Sequence, residues 1–386
     1  MPASLYLHVP FCPQICPYCD FHKMLRGDGR NEGLVERYLE RLEREIGETA
    51  ERYPGPLETI YLGGGTPSAL RDGELARVVS AVDSAWGFPA TLETTLEADP
   101  LTFDAARLHS FKELGFSRLS IGLQSTQDHV LKRLGRQHDA RDGLEAVTWA
   151  LEAGFEASAD LITAVPEQDT ERDLRTLAKT GVPHVSVYTL TIEPFTPFAR
   201  RGVKVDEERA ADDYELTNAV LTEYGLERYE VSSHARPGHE SRHNQVYWHG
   251  RHFLGLGPSA AGFLPRPGLP GARVTNPPIK GWLRRETPLL EPVSPADYLL
   301  ERLMTGLRTV AGVDLADVHS RSGIDIEERF AGTLAPLYRH DLLEVDSGRL
   351  RATPDGLIRL DAVLREFFAF KPSHCPGSPR GDADQG

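Results

Sequence analysis

HVPFCPQICPYCDFHK, residues 8–23, contains Cys12, Cys16 and Cys19, three of the four cysteines in the chain. Thiolates are soft ligands that suit zinc or an iron–sulfur cluster. A structural zinc site takes four protein ligands, and His8 or His22 would complete such a set. A [4Fe-4S] cluster held by three thiolates instead leaves one iron open for a small molecule. The C-x3-C-x2-C spacing therefore predicts a metal centre, either zinc or a cluster, in this stretch.

The composition of the chain narrows the classes of protein to which it can belong. Its 386 residues carry a net charge of -14. An acidic chain without a basic stretch does not favour binding to nucleic-acid phosphates or to an anionic membrane surface. No apolar run approaches the roughly 20 residues that span a bilayer, and the amino-terminal sequence lacks the pattern of a removable leader. We therefore expect a cytoplasmic protein with no membrane span and no nucleic-acid partner.

Apolar runs and amphipathic stretches alternate six times along the first part of the chain. The runs have the length of buried strands, and the stretches repeat apolar residues at three- and four-residue spacing, as helices do. This alternation predicts an α/β fold, an open sheet or an incomplete barrel, with its chemistry at the carboxyl ends of parallel strands. The expected strands are 4–10, 57–67, 94–100, 118–125, 158–166 and 184–192, and the expected helices are 33–53, 72–86, 104–115, 140–154, 170–181 and 210–225.

Beyond this α/β part, assigned to residues 1–227, the pattern changes twice. Residues 228–293 are rich in His, Gly and Pro and are expected to be irregular. Residues 294–370 predict a small carboxyl-terminal module similar to a winged helix, in which helices precede a hairpin that turns at 346–348 and a closing helix. The tail, 371–386, has a composition typical of disorder.

The cysteine loop directly follows the first strand of the βα series, and Tyr18 precedes its third cysteine. This arrangement resembles the radical S-adenosylmethionine (SAM) superfamily over strands one to six. The resemblance implies a partial (β/α)6 barrel in which Cys12, Cys16 and Cys19 hold a [4Fe-4S] cluster. It also implies that SAM binds the open iron and that Cys375, in the tail, has no role at the cluster.

A glycine run after the second strand, YLGGGTPS (61–68), adds to this resemblance. Glycines at a strand end let the backbone approach a ligand closely, although such a run by itself is more often a tight turn. Paired with the cysteine loop, the run resembles the superfamily's contact with the SAM amino group. The resemblance carries that role onto Gly64, Gly65 and Thr66.

A longer pattern comprises Tyr6, Glu97, Gln124, Arg136 and Asp160, together with the run LGLGPSAAG (254–262). It resembles the oxygen-independent coproporphyrinogen III oxidase family and its near relatives. The resemblance implies that these residues bind SAM, and it adds Thr191 and Ala261 as residues that line the ligand. Without the family, Glu97 and Asp160 also fit helix caps or solvated strand ends, and Arg136 fits a surface ion pair.

Phe21 distinguishes two branches of this family. The oxidases carry a further cysteine two residues after the third cluster cysteine, where this chain has Phe21. This difference puts decarboxylase activity in question. With Phe21 at this position, the chain resembles the relatives that act as heme chaperones. The sequence H-N-x-x-Y-W, formed by His243, Asn244, Tyr247 and Trp248, resembles the motif at which those chaperones bind heme. Imidazole ligates heme iron, and Tyr and Trp offer flat apolar faces.

The H-N-x-x-Y-W residues have a second interpretation that needs no family. They also fit a polar loop packed over the barrel mouth, in which His243 bonds to the backbone. We leave this interpretation open, together with the question of which residue would ligate heme iron.

The sequence thus predicts a protein that carries a [4Fe-4S] cluster and SAM, binds heme and passes it to an acceptor protein, for example a respiratory one. An electron donor for the cluster is expected, and homodimer formation is left open. Oxidative decarboxylation of coproporphyrinogen III is the alternative function. A binding protein stabilised by zinc is a third interpretation.

Overall fold

The computed structural model describes residues 1–26, 32–89 and 91–368. The tail predicted to be disordered, 371–386, lies outside the described residues, and so does Cys375. In the part of the chain that is described, no helix is long and apolar enough to cross a membrane.

Six parallel strands, joined by helices, form the first half of the molecule, and they lie in the sheet in chain order. The strands are β1 (Ser4–Val9), β2 (Thr59–Gly64), β3 (Glu93–Ala98), β4 (Arg118–Gln124), β5 (Glu156–Thr163) and β6 (His184–Thr189). The helices are α1 (Glu32–Arg52), α2 (Asp72–Trp86), α3 (Ala105–Glu113), α4 (Asp128–Arg133), α5 (Ala140–Glu152), α6 (Thr170–Ala178), α7 (Pro197–Arg200) and α8 (Glu207–Glu223). The short helices α4 and α7 were not predicted, because one turn or two carry too little periodicity.

The two faces of each strand explain why one side of the sheet is apolar and the other polar. In β1, Leu5, Leu7 and Val9 have no exposed surface and belong to the core under the outer helices. Tyr6 alternates with them and faces the barrel interior, where its ring stacks on that of Tyr61 at 6.1 Å. Burying a leucine side chain stabilises the fold by about 1.5–3 kcal/mol. The outer face therefore holds the sheet together, and the inner face is left for polar groups.

The barrel is incomplete: short strands extend both edges of the sheet, but the two edges do not pair with each other. At one edge β8 (Ser233–Ala235) pairs antiparallel with β6, and β7 (Glu227–Arg228) pairs with β8. At the other edge β9 (Leu254–Leu256) runs parallel to β1. The sheet thus ends at β7 and β9, and the opening predicted for a partial barrel lies between them.

Residues 228–293, expected to be irregular, contain regular elements, which is a correction to the sequence analysis. Besides β8 and β9, they hold a helix, α9, and an antiparallel sheet of three strands, the last two of which are joined by a short helix. These strands are short and interrupted by Gly and Pro, so that the sequence shows no clear alternation. The elements are α9 (Arg242–Trp248), β10 (Ala261–Arg266), β11 (Leu269–Thr275), α10 (Ile279–Leu283) and β12 (Leu289–Val293).

The carboxyl-terminal module has the predicted order of helices, hairpin and closing helix. The hairpin turns at Ser347 (φ 51°) and Gly348 (φ 76°), as a tight two-residue turn requires. The module has a core of its own, in which the rings of Phe330 and Phe367 meet edge to face at 5.1 Å. Its elements are α11 (Pro295–Gly306), β13 (Val313–Asp314), α12 (Leu315–Ser322), α13 (Ile326–Arg329), α14 (Ala331–Arg339), β14 (Leu343–Asp346), β15 (Arg349–Ala352), α15 (Pro354–Ile358) and α16 (Leu360–Phe368).

Candidate functional site

A cavity of about 560 Å3 occupies the barrel interior, from the cysteine loop at the carboxyl ends of the strands to α9 at their amino ends. Most of the residues predicted from the sequence line it. They are Cys12, Cys16, Cys19, Gly64, Gly65, Thr66, Glu97, Gln124, Arg136, Asp160, Thr191 and Asn244. Five predicted residues are absent from this lining, namely Tyr6, His243, Tyr247, Trp248 and Ala261.

The cysteine loop is closed by its own backbone. The two-residue strands Phe11–Cys12 and Met24–Leu25 pair in parallel, with Met24 N donating to Pro10 O at 2.7 Å. The Lys23 ammonium spans the loop by donating to the carbonyl oxygens of Cys19 (2.6 Å) and Phe21 (3.1 Å). These bonds hold the three free thiols at one end of the barrel.

Burial governs the chemistry of these thiols. Cys12 is 6% exposed, and burial raises the pKa of its thiol to about 11. Burial also raises the pKa of Cys19. The Arg136 guanidinium donates from Nη1 to Cys16 Sγ at 3.4 Å. Metal binding at Cys12 and Cys19 would release the protons of their thiols.

The two histidines considered as a fourth zinc ligand are engaged elsewhere. His8 bonds through Nδ1 to the Tyr6 hydroxyl at 3.0 Å and through Nε2 to His22 O at 2.8 Å. His22 Nε2 accepts from the Ile279 amide at 3.3 Å. Among the residues described, no group of three or more His, Cys, Asp and Glu side chains, the three cysteines included, is arranged to hold a single metal ion. The loop thus offers no four-ligand zinc site, and its three thiols match the number of protein ligands of a cluster with an open iron.

Two carboxylates face the cavity from β3 and β5, the strands on either side of β4. Glu97 accepts from the Tyr61 hydroxyl at 2.8 Å and the Gly64 amide at 3.0 Å, and burial raises its pKa to about 7. Asp160 accepts from Ser120 Oγ at 3.1 Å, and burial raises its pKa to about 6. The Ser186 hydroxyl also lies near this carboxylate and lowers its pKa, but Asp160 Oδ1 is buried without a hydrogen-bond partner of good geometry. Neither group is a helix cap or a solvated strand end, and the free oxygen of Asp160 fits a ligand that donates hydrogen bonds.

Backbone geometry at the cavity edge is also specialised. Gln124 ends β4 at a break in strand register and has φ 68°, which is rare for a residue with a side chain. Gly64 has φ 107°, and a Cβ there would lie 2.4 Å from the ring of His8. Such strain and irregular pairing are typical of binding sites.

Arg136 is not the surface ion pair that its sequence context allowed. Its Nη2 lies 2.7 Å from Asp99 Oδ2, and the two side chains are only 8% and 7% exposed. The same nitrogen donates to Gly122 O at 3.0 Å, while Nε is buried without a partner. Arg136 thus ties the cysteine loop to the ends of β3 and β4. Its contact with the carboxylate of SAM stays a prediction.

The H-N-x-x-Y-W residues form α9, which closes the amino-terminal end of the barrel rather than its mouth. Glu93, at the start of β3, accepts from the Arg242 amide (3.2 Å) and the His243 amide (2.8 Å). His243 has no exposed surface, and both ring nitrogens are bonded, to Thr59 Oγ1 at 2.8 Å and to Tyr247 Oη at 2.7 Å. Burial lowers the pKa of His243 to about 3. The imidazole is therefore neutral and bonded to side chains, not to the backbone as the alternative interpretation had it.

The other predicted residues outside the cavity lining pack around it. Tyr247 meets the ring of Phe253 at 4.7 Å, and the Trp248 carbonyl accepts from Arg302 Nη1 at 2.6 Å, which joins α9 to the carboxyl-terminal module. Ala261 begins β10 at the edge beside Thr275. Their contacts with heme or SAM stay predictions.

The sequence analysis missed several polar residues that line the cavity. They lie on alternate positions of the strands and include Tyr61, Thr95, Ser120, Ser158, His184, Ser186 and Tyr188. The period of two was available in the sequence, because small polar residues alternate with the apolar residues of the core. Asp99 was also missed, since its partner Arg136 is distant in sequence.

Comparisons with known proteins agree with this geometry. A model of the radical SAM superfamily matches residues 6–180, and a model of the HemN C-terminal domain matches residues 293–359. The heme chaperone HemW of Synechocystis sp. is 39% identical over 336 residues, which cover 83% of this chain and 81% of the relative. The heme chaperone HemW of Bacillus subtilis is 31% identical, and this match covers 95% of this chain and 99% of the relative.

A solved structure matches the fold over most of the molecule. Coproporphyrinogen III oxidase HemN of Escherichia coli, a radical SAM enzyme, superposes with a TM-score of 0.80 at 23% sequence identity. The match covers 95% of this chain and 90% of that chain. This likeness confirms the predicted fold, a partial radical SAM barrel followed by a carboxyl-terminal module.

Proposed function

The chain belongs to the heme chaperone HemW family of radical SAM proteins, and from that premise we propose that it binds heme and passes it to an acceptor protein in the cytoplasm. The observation that carries the proposal is Phe21. It stands at the cavity mouth, 63% exposed, where the resemblance to the oxidases calls for a further cysteine. The relatives named as heme chaperones, similar over most of both chains, support the same function.

The residues at the carboxyl ends of the strands fit the cofactors of the superfamily. Cys12, Cys16 and Cys19 would hold the [4Fe-4S] cluster, and a bound cluster supplies single electrons to SAM. The lining residues predicted to hold SAM are Gly64, Gly65, Thr66, Glu97, Gln124, Arg136, Asp160 and Thr191. Tyr6 and Ala261, predicted with them, do not line the cavity. The free oxygen of Asp160 is the feature of this chain that best supports a ligand with hydroxyl or amino donors.

The heme contact predicted at His243, Asn244, Tyr247 and Trp248 has a structural cost. His243 is fully buried, and it can ligate heme iron only if its ring becomes accessible and one of its bonds, to Thr59 or to Tyr247, opens. Asn244, by contrast, already lines the cavity. The placement of heme at α9 stays a prediction, and a hemin titration of His243→Gln tests it.

One anaerobic preparation tests the function itself. Protein reconstituted with iron and sulfide is titrated with hemin, and the loaded protein is mixed with apomyoglobin, whose Soret band reports heme transfer. We expect stoichiometric heme binding and transfer faster than the release of heme to a solution without acceptor. The same preparation, given reductant, SAM and coproporphyrinogen III, is expected to form no protoporphyrinogen IX. Product formation would establish the decarboxylase instead.

A further inference from the structure

Lys23 follows the cysteine loop and lines the cavity together with Cys12, Cys16 and Cys19. Its half-buried side chain turns back over the loop, where the ammonium donates to the carbonyl oxygens of Cys19 (2.6 Å) and Phe21 (3.1 Å). Burial raises the pKa of the Cys12 and Cys19 thiols, and the charge of Lys23 opposes that rise at both. The ammonium therefore lies within electrostatic reach of two of the three sulfur atoms.

The backbone on both sides of Lys23 is anchored. Before it, His22 accepts at Nε2 from the Ile279 amide at 3.3 Å. After it, the strand Met24–Leu25 pairs with Phe11–Cys12, and the Arg26 amide donates to Cys12 O at 2.8 Å. Since the ammonium is also bonded to two carbonyls, the positive charge of Lys23 is held at one place relative to the thiols.

Two other cations close to the loop are already paired with carboxylates. Arg26 Nη2 lies 2.8 Å from Glu74 Oε2, and Arg136 Nη2 lies 2.7 Å from Asp99 Oδ2. Within the described residues, Lys23 forms no ion pair and bonds to neutral carbonyls instead. Its charge is therefore not compensated by a bound carboxylate, unlike the charges of the two arginines.

Acidic side chains also line the cavity mouth and reduce the net field there. Asp20 and Glu193 both belong to the lining, and Asp20 is exposed, so that water screens its charge. Neither is bonded to Lys23 in the part of the chain that the structure describes. Both are also present in a variant of Lys23, so that such a variant measures the effect of the ammonium against an unchanged background.

A fixed cation beside the thiols acts on the cofactor that the loop fits. A [4Fe-4S] core bound by three thiolates carries one net negative charge, and uptake of one electron adds a second. A nearby positive charge stabilises the more negative state. The net charge and the hydrogen bonds around the sulfur atoms are what set the reduction potential of such clusters. The ammonium of Lys23 is therefore placed to raise that potential.

We propose that Lys23 raises the reduction potential of the cluster, so that a less strongly reducing one-electron donor can reduce it. This inference rests on the cluster that belongs to the proposed function. Reduction transfers one electron from the donor, which is dithionite in the test below, and it forms and breaks no bond. Lys23 touches no reacting atom and is a positioning residue, which acts through its charge and through the backbone of Cys19.

A redox titration of anaerobically reconstituted protein, followed by the electron paramagnetic resonance signal of the reduced cluster, tests the proposal. Lys23→Gln keeps a hydrogen-bond donor for the two carbonyls but removes the charge. At the wild-type midpoint potential, its ratio of reduced to oxidised cluster is expected to be about tenfold lower, which is about 59 mV for a one-electron couple. Lys23→Arg keeps the charge and is expected to titrate as wild type does.

Lys112 provides a matched control at the other end of the barrel. Its ammonium also donates to a backbone carbonyl, that of Gly154 at 2.7 Å, just before β5 begins. Lys112→Gln is expected to leave the cluster potential unchanged. Iron and sulfide analysis precedes each titration. Lys23→Met is a second uncharged variant of similar length, to be titrated if Lys23→Gln does not retain its cluster.

The remaining outcomes separate the inference from the proposed function. An unchanged midpoint potential in Lys23→Gln would refute the inference. Equal lowering in Lys23→Arg and Lys23→Gln would also overturn it, because loop geometry rather than charge would then set the potential. Equal lowering in Lys112→Gln would reduce the effect to overall charge. Wild type that retains no iron and sulfide would refute the cluster itself. Wild type that binds no hemin, with the shift in Lys23→Gln present, would refute heme binding and still support the inference.

Discussion

The cysteine loop and α9 are both motifs that the sequence marks as ligand sites, but they differ in whether their polar atoms already have hydrogen-bond partners. At the cysteine loop none of the three thiols is in a disulfide, Cys16 Sγ accepts one hydrogen bond from Arg136, and Asp160 Oδ1 in the same cavity has no partner. At α9 both nitrogens of His243 are bonded to side chains. Residue types alone do not reveal whether hydrogen-bonding capacity is left over. The comparison favours ligand binding at the carboxyl ends of the strands and a closing role for α9.

Loss of the cluster is the largest effect that the comparison predicts. Cys12→Ser, Cys16→Ser or Cys19→Ser is expected to remove nearly all iron and sulfide from anaerobically reconstituted protein, because each thiolate is one of only three ligands. Iron and sulfide analysis with the absorbance near 400 nm measures this. Cys375→Ser is the control and is expected to retain full iron content. A serine variant that keeps its cluster would contradict the assignment of the loop.

The buried pair of Arg136 and Asp99 is expected to matter next. Asp99→Ala leaves the Arg136 charge buried and unpaired, which costs about 3–5 kcal/mol of unfolding free energy. Urea denaturation of the metal-free protein measures the change. The control is Glu171→Ala, which breaks an exposed ion pair with Arg175 and is expected to cost less than about 1 kcal/mol. Equal costs would mean that the buried pair does not anchor the loop.

His243→Ala tests the closing role of α9. The change leaves Thr59 and Tyr247 without their partner, and we expect a loss of about 2–3 kcal/mol in unfolding free energy. The iron content of reconstituted protein is expected to stay at the wild-type level, because the loop lies at the other end of the barrel. Unchanged stability, measured in the same urea titration, would remove the structural role.

The smallest predicted effect is a pH dependence that Asp160 adds to stability. Burial raises its pKa to about 6 in the folded chain, above the ordinary value of about 3.9 in the unfolded chain. The folded state then binds more protons than the unfolded state. The protonated Asp160 carboxyl therefore favours folding most below about pH 4, and the free energy of unfolding falls as the pH rises through 6. Relative to wild type, Asp160→Asn is expected to gain about 1 kcal/mol between pH 5 and pH 7.

Urea denaturation of both proteins at pH 5 and pH 7 gives this difference directly. Taking the difference cancels the histidines, whose lowered pKa values act in the opposite direction in both proteins. A difference that does not change with pH would show that Asp160 is not buried in the cavity.

The sequence predicted those features that depend on local pattern. Each of the six long helices of the barrel begins and ends within three residues of its predicted bounds, because amphipathic periodicity is strong over ten or more residues. The cysteine spacing located the loop correctly at the carboxyl end of β1. Glu97 and Asp160, which the family pattern singled out, face the cavity, and their contact with SAM stays a prediction.

Features that depend on long-range packing were beyond the sequence. The position of α9 is set by Glu93 and Thr59, about 150 and 184 residues away along the chain. The pairing of Asp99 with Arg136 likewise joins two loops. Neither contact leaves a periodic signal in the sequence. Only the assembled barrel shows that the cysteine loop faces the cavity and that the ring of His243 in α9 is fully hydrogen-bonded.

Electron paramagnetic resonance of the reduced, reconstituted protein, with and without SAM, tests the central claim most directly. If three thiolates leave one iron open, the cluster signal is expected to change when SAM binds. An identical signal at saturating SAM, or no [4Fe-4S] signal at all in oxygen-protected protein, would contradict an open cluster at the carboxyl ends of the strands.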